Sequence, residues 1–157
     1  MSDLMPILDA CCGPKMFWYD KGNPNVLFMD KRRLEEKLPG GRDLVINPDI
    51  VADFRNMPFT DNTFSLVVFD PPHLINAGDK SWLARKYGTL DPITWKYDLQ
   101  RGFNECMRVL KPQGTLMFKW SEGQIPTSEV LKLFPQDPLF EDKRSKTRWI
   151  AFMKGLK

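Results

Sequence analysis

The sequence predicts a doubly wound α/β fold, because short apolar runs alternate with helical patterns along its 157 residues. Most of the runs are continuous rather than alternating, which is typical of strands covered on both faces. The runs lie at 7–8, 26–29, 50–52, 64–69, 116–118 and 149–153. A chain of this length suits one core, so we expect one domain spanning residues 1–157.

The helical pattern is clearest at residues 95–110, where apolar side chains recur at three- and four-residue steps. This helix should end before the turn formed by residues 111–114, which contains Pro112 and Gly114. Two further helices are predicted at 33–38 and 128–134. The charged segment 135–148 carries two prolines, and we expect a loop and a short edge strand there.

Composition and charge exclude several classes of protein. The chain is 42% hydrophobic and 27% charged, as in ordinary globular proteins. No apolar run approaches the ~18 residues of a membrane span, and the amino-terminal residues do not resemble a signal peptide, so we expect a cytoplasmic protein without a membrane partner. The three cysteines form no metal-binding cluster and no disulfide framework. The net charge of +3 permits an anionic partner.

Four aspartates stand at or just after predicted strand ends, and they are separated by about one strand–helix unit each: Asp9, Asp30, Asp53 and Asp70. In doubly wound sheets, ligands bind beyond the carboxyl ends of the strands. One such aspartate is usually a turn former or a helix cap, whereas four in succession indicate a ligand site.

The first three acids and their neighbours suit an adenosine. Asp30 is placed to accept hydrogen bonds from both ribose hydroxyls. Asp53 is placed to accept from the adenine amine while Phe54 packs against the ring, although an ordinary core position explains Phe54 equally well. The loop after Asp9 brings small residues and Gly13 close to a ligand. It contains no G-x-G-x-x-G, which disfavours a dinucleotide.

These segments resemble successive motifs of the class I S-adenosylmethionine-dependent methyltransferases. The resemblance covers residues 6–120 and rests on four features: Leu8-Asp9-Ala10-Cys11-Cys12-Gly13, Asp30, Ala52-Asp53-Phe54-Arg55-Asn56-Met57-Pro58-Phe59 and Val109-Leu110-Lys111-Pro112-Gln113-Gly114. It implies a seven-stranded, mostly parallel sheet whose last strand is antiparallel, with S-adenosylmethionine as cofactor. The cofactor-binding residues that we expect are Asp9, Ala10, Cys11, Gly13, Asp30, Asp53, Phe54 and Asp70.

One departure from the family concerns the first loop, which is usually richer in glycine. Here Gly13 is followed by residues 14–18, Pro-Lys-Met-Phe-Trp. The contacts to the methionine part of the cofactor therefore stay open.

The fourth acid opens the motif Asp70-Pro71-Pro72-His73. Two prolines stop the strand and fix a rigid turn, because each lacks an N–H and has a restricted φ. Such a turn can hold a carboxylate and a carbonyl toward an incoming amine. Methyl transfer to an exocyclic amine needs two such acceptors and a planar side chain that stacks on the ring.

The motif resembles the [Asp/Asn]-Pro-Pro-[aromatic] motif of the amino-methyltransferases. These enzymes act on adenine or cytosine amines in nucleic acid, or on glutamine side chains. The resemblance implies that Asp70 and the carbonyl of Pro71 accept the two amine hydrogens and that His73 stacks. His73 replaces the usual Tyr, Phe or Trp, so three roles stay open for it: stacking, acting as a base, or filling space.

The segment after the motif interleaves basic and aromatic side chains, which suits a flipped base and its phosphates. The candidate substrate-binding residues are Lys80, Trp82, Arg85, Lys86 and Tyr87. A surface loop tucked against the sheet by two of these aromatic side chains explains the pattern equally well.

The favoured hypothesis is methylation of an exocyclic amine in nucleic acid, most simply adenine. A glutamine or small-molecule methyltransferase is the alternative within the same chemistry. A catalytically silent cofactor-binding domain is the third interpretation, because the chain has no room for a separate target-recognition region. A protein partner would then supply that recognition. Methyl transfer to an amine needs no metal.

Overall fold

The computed structural model describes residues 5–38, 40–76, 78 and 81–156. The described chain contains these elements in order: β1 (Ile7–Asp9), β2 (Val26–Asp30), β3 (Leu34–Lys37), β4 (Asp43–Ile46), β5 (Ile50–Val51), β6 (Phe64–Phe69), α1 (Trp82–Tyr87), α2 (Trp95–Val109), β7 (Leu110–Ser121), α3 (Thr127–Leu131), β8 (Phe140–Arg144) and β9 (Thr147–Met153).

Seven of the strands form one sheet in the order β5-β2-β1-β6-β7-β9-β8. Neighbouring strands in the series β5, β2, β1, β6 and β7 pair in parallel. Strand β9 pairs antiparallel with both β7 and β8. The seven-stranded, mostly parallel α/β sheet with an antiparallel last strand is therefore confirmed. Its parallel strands end at one edge, where the predicted ligand residues were expected to meet.

The long helix α2 covers one face of the sheet and contacts β6 and β7. Its apolar stripe includes Leu99, Phe103 and Cys106, which are fully buried in the main core. The predicted helix at 95–110 is confirmed, and it ends at Val109 because Leu110 already has extended dihedral angles and begins β7.

The opposite face near β1 and β2 is covered by a connection without a helix. Residues 10–25 form turns between these two strands. A small cluster of Cys12, Val26 and Phe28 is buried there, and Trp18 packs against it. The alternation of strands with crossover helices that the sequence pattern predicts does not extend to this connection.

The helix predicted at 33–38 is wrong. Leu34–Lys37 is strand β3, which pairs antiparallel with β4 in a hairpin. The hairpin buries its own apolar residues, Leu38, Leu44 and Ile46, and the burial of β4 alternates as in a half-exposed strand. Cross-strand packing therefore outweighs the weak helical pattern of this segment.

The remaining predictions hold in outline. The third helix is shorter than the predicted 128–134, since α3 covers Thr127–Leu131. The charged segment forms β8, an exposed edge strand, as expected. No helix within the described residues is long and apolar enough to cross a membrane.

Candidate active site

A cavity of about 770 Å³ opens at the carboxyl ends of the parallel strands. Segments that follow β1, β2, β5 and β6 line it, and the β3–β4 hairpin and α1 form a further wall. Its volume lies within the range of small-molecule sites. The sheet therefore places this cavity where doubly wound folds bind ligands.

The structure brings most of the predicted site residues together around this cavity. Those that line it are Ala10, Cys11, Gly13, Asp30, Asp53, Phe54, Asp70, Pro71, Pro72, His73, Arg85, Lys86 and Tyr87. Asp9 is fully buried and is absent from the lining, as is the exposed Trp82. Lys80 lies outside the described residues.

Asp9 supports the first loop from beneath. Its Oδ1 accepts a hydrogen bond from the Cys11 amide, and its Oδ2 accepts one from the Trp18 indole at 2.7 Å. Burial, with smaller contributions from the neighbouring Asp70 and Asp30, raises the pKa of Asp9 to about 7 in spite of the hydrogen bond from the indole. A buried acid thus fixes the chain where it leaves β1.

The backbone amides of this loop are all committed to protein acceptors. Ala10 donates to the carbonyl of Val68, Cys11 donates to Asp9, and Cys12 donates to the carbonyl of Met29. The Gly13 amide donates to Oδ2 of Asp30 at 2.8 Å. No amide from residue 10 to residue 13 is therefore free to bind a pyrophosphate, which a dinucleotide site would require.

Three acidic side chains lie close to Cys11 at the floor of the cavity. Asp9, Asp30 and Asp70 each raise the pKa of the Cys11 thiol, which burial already raises well above its usual range. Both oxygens of Asp30 accept backbone amides, from Gly13 and Arg32, which fixes the direction of this carboxylate. Acidic groups at this position suit a cationic group on a ligand.

Asp53 is held at the next strand end by an ion pair. The Arg55 guanidinium donates to both of its oxygens, with a shortest distance of 2.7 Å, and also reaches Asp98 on α2 at 3.2 Å. Hydrogen bonding to Arg55 lowers the pKa of Asp53, so this side chain is an ionised acceptor. Phe54 beside it packs edge-on against Phe69 and lines the cavity.

The Asp-Pro-Pro-His turn forms the opposite side of the cavity. Burial raises the pKa of Asp70 to about 6, and Lys119, whose Nζ lies 3.4 Å from its Oδ2, lowers it. His73 lies beside Tyr87, with ring centroids 5.4 Å apart. Burial and the charge of Lys119 lower the pKa of His73, so its ring is neutral at pH 7.

The wall formed by α1 is anchored to the β3–β4 hairpin. The Arg32 guanidinium donates to the carbonyls of Arg85 and Lys86, the last residues before the end of α1. Arg85 forms an ion pair with Glu36 of β3. A cation at the carboxyl end of a helix is favourable, so these contacts hold α1 over the cavity.

Within the described residues, no three His, Cys, Asp or Glu side chains gather as they would around a metal ion.

Comparison with known proteins gives the fold. No family model matches the chain, and none of the curated proteins matches it. Among solved structures, the PH0226 protein from Pyrococcus horikoshii is similar, with a TM-score of 0.56 and 14% identity over 94% of this chain and 82% of that one. A TehB-like SAM-dependent methyltransferase from Corynebacterium glutamicum gives a TM-score of 0.55 and 16% identity over 94% and 79%.

A third similar structure is a SAM-dependent methyltransferase from Leishmania major, with a TM-score of 0.54 and 14% identity over 93% of this chain and 63% of that one. The chain has the methyltransferase fold. At these identities, the similarity to solved structures establishes the architecture of the chain.

Several residues that line this cavity were not among the site residues predicted from the sequence. The charged side chains among them include Arg32, Glu36, Arg55, Asp98 and Lys119. Asp98 carried a signal, because it is a carboxylate that lies one residue from the apolar stripe of α2. Arg55 stands within the motif that contains Asp53, and it was predicted only as part of that motif. Glu36 was hidden by the wrong assignment of its segment to a helix.

Proposed function

We propose that the protein is an S-adenosylmethionine-dependent methyltransferase that acts on an exocyclic amine of a nucleic-acid base, with adenine favoured. One observation carries the proposal: the turn from Asp70 to His73 lines the same cavity as Asp30, Asp53 and Phe54. A target amine and an adenosyl cofactor would therefore meet in one cavity.

The residues present fit the cofactor. The carboxylate of Asp30 keeps lone pairs beyond the two amides that orient it, and these would accept the ribose hydroxyls. Asp53, kept ionised by Arg55, would accept from the adenine amine, and Phe54 would pack on the ring. Asp9, Ala10, Cys11 and Gly13 would shape the loop on which the cofactor rests, with Asp9 acting from beneath it.

Charge favours this cofactor over a dinucleotide. The acidic groups around Cys11 suit a sulfonium and an ammonium group, and the committed amides of residues 10–13 offer nothing to a pyrophosphate. When bound, S-adenosylmethionine would supply the methyl group: its methyl C–S bond breaks as the lone pair of the amine forms the new C–N bond, neutral S-adenosylhomocysteine remains, and the amine loses one N–H proton.

The chain's own residues would orient that amine. One Asp70 oxygen and the carbonyl of Pro71 accept its two N–H groups and so aim its lone pair into the cavity. The neutral His73, beside Tyr87, stacks on the target ring. Pro72 restricts the turn, so the two acceptors keep their spacing.

Nucleic acid is favoured as the substrate by the wall that faces this turn. Lys86 lines the cavity, and its Nζ lies 5.2 Å from the Tyr87 ring and 5.8 Å from the Trp82 ring. A cation next to a base-stacking surface suits a phosphate that flanks the target base. Arg85 is neutralised by Glu36, and we assign it to holding the wall.

The test measures transfer of labelled methyl from S-adenosylmethionine onto DNA, RNA and protein. Asp70→Ala should lower transfer about 100-fold, because the amine loses an acceptor that orients it, and this loss should far exceed any change in affinity for S-adenosylhomocysteine. Asp137→Ala, at an exposed position outside the cavity, is the matched control and should behave as wild type. Transfer that survives Asp70→Ala unchanged contradicts the catalytic assignment.

The substrate arms separate the other interpretations. Transfer only onto protein or small amines would replace nucleic acid as the substrate. Cofactor binding without transfer onto any acceptor would indicate a silent domain that serves a protein partner.

A further inference from the structure

Lys119 lies near the end of β7, beside the Asp-Pro-Pro-His turn. Phe69 of β6 pairs with Phe118 of β7, so Asp70 and Lys119 each follow a paired residue on neighbouring parallel strands. The Nζ of Lys119 lies 3.4 Å from Oδ2 of Asp70, and about a quarter of each side chain is exposed. The ion pair is therefore partly withdrawn from water.

Two aromatic rings fix the position of the Lys119 ammonium. Its Nζ lies 5.4 Å from the Phe17 ring centroid and 5.8 Å from that of Trp149, which is its cross-strand partner on β9. Phe17 packs edge-on against Trp149, with centroids 5.0 Å apart. Cation–π contacts of this kind hold a charged group where its flexible stem alone would not.

The other charged groups near Asp70 do not replace this contact. Asp9 and Asp30, at the ends of β1 and β2, are acids and supply no positive charge. Arg148, next to Trp149 on β9, is paired with Glu141. Among the described residues, Lys119 supplies the counter-charge of Asp70.

We propose that Lys119 is a positioning residue for Asp70, which it keeps ionised and turned toward the target amine, with Phe17 and Trp149 holding its ammonium in place. The proposal rests on the proposed function, in which Asp70 must accept a hydrogen bond. The proposal also assigns a role to residues 14–18, which follow Gly13, because Phe17 belongs to this segment.

The protonation state of Asp70 determines whether this side chain can accept a hydrogen bond from the target amine. Burial raises the pKa of Asp70 to about 6 even with Lys119 in place. Loss of an opposite charge at this distance raises a carboxyl pKa by about 1–3 units. Without Lys119, about half or more of Asp70 would be protonated at pH 7, and the protonated form would offer an O–H donor to an amine that needs an acceptor.

The experiment follows the Asp70 carboxyl directly by NMR titration of protein labelled with ¹³C at the aspartate side chains, with Asp70→Asn to assign its signal. Lys119→Met keeps the length and apolar packing of the side chain and should raise the pKa of Asp70 by at least about one unit. Lys119→Arg keeps the charge and should titrate close to wild type. An unchanged titration in Lys119→Met overturns the proposal.

Two measures keep the test decisive. Lys119→Gln, which can still donate a hydrogen bond to Asp70, removes the same charge and carries the same expectation if Lys119→Met does not fold. In the methyl-transfer assay, Lys119→Met should lower kcat about tenfold at pH 7 and recover most of it at pH 9, whereas equal losses at both pH values contradict a role through ionisation.

The NMR titration needs no substrate. If no amine is methylated, the proposed function fails while the coupling of Lys119 to Asp70 is still measured.

Discussion

Trp18 donates its indole N–H to Oδ2 of Asp9 at 2.7 Å. The donor belongs to the connection that follows β1, and the acceptor is the fully buried last residue of that strand. The same indole packs edge-on against Phe28 of β2. One side chain therefore both covers the sheet face that lacks a helix and fixes the loop beside the cavity.

Replacing Trp18 tests this double role. Trp18→Phe keeps an aromatic ring over Phe28 but removes the donor, which leaves a buried carboxyl oxygen unsatisfied. We expect the free energy of unfolding to fall by about 1–3 kcal/mol, measured by denaturant titration at pH 8. Tyr19→Phe, at the fully exposed neighbouring position, should have no effect. Equal stability of Trp18→Phe and wild type would contradict the role of this bond.

The raised pKa of Asp9 should make the stability of the protein depend on pH. Its pKa is about 7 in the folded protein and about 4 in an unfolded chain. Between these two pH values the folded state holds a proton that the unfolded state releases. The contribution of protonated Asp9 to the free energy of unfolding is therefore complete below pH 4 and is lost as the pH rises toward 7.

Asp9→Asn cannot ionise and so measures this contribution. Its stability relative to wild type should increase from pH 4 to pH 7, by a few kcal/mol at most, because each pKa unit corresponds to about 1.4 kcal/mol. Asp70 titrates in both proteins, so its effect largely cancels. A stability difference that stays constant over this range would show that Asp9 has an ordinary pKa.

Gly102 connects α2 to the cavity wall. A Cβ at this position would lie 2.6 Å from Phe54 Cδ1 and 2.6 Å from Phe69 Cζ. Gly102→Ala should displace Phe54, lower stability by about 1–3 kcal/mol and weaken S-adenosylhomocysteine binding. Gly123→Ala is the matched control, since nothing lies within 4 Å of the added methyl group. Calorimetry that finds the same affinity in both variants argues against a cofactor contact by Phe54.

Arg32 should stabilise helix α1 against local opening. Removing its guanidinium in Arg32→Leu frees the carbonyls of Arg85 and Lys86, and we expect amide exchange in residues 82–87 to quicken about 2- to 10-fold. Arg33→Leu is the control, because Arg33 donates to the carbonyl of Pro48 and not to α1. The anchoring role is refuted if hydrogen exchange of α1 is alike in the two variants.

The sequence pattern predicted the parts of the fold that rest on local periodicity. The apolar stripe of α2 and the buried strands such as β6 are visible in single segments, and the acids at strand ends mark the cavity edge. The β3–β4 hairpin was missed although Gly40 and Gly41, both at positive φ, supply a turn between its strands. There the wrong period was assigned to a short segment.

The contacts between distant segments lie beyond such reasoning. The pairing of Lys119 with Asp70 depends on the register of β6 against β7, and the anchoring of α1 by Arg32 joins residues more than fifty positions apart. No local pattern encodes these distances, because they follow from the packing of the whole sheet.

The central claim is that the cavity holds an adenosyl cofactor, and calorimetric titration of the purified protein tests it most directly. We predict binding of S-adenosylmethionine and S-adenosylhomocysteine with one site per chain, and no binding of NAD, whose pyrophosphate finds no free amide at residues 10–13. Binding of NAD without the adenosyl compounds, or no binding of either adenosyl compound, would contradict the claim.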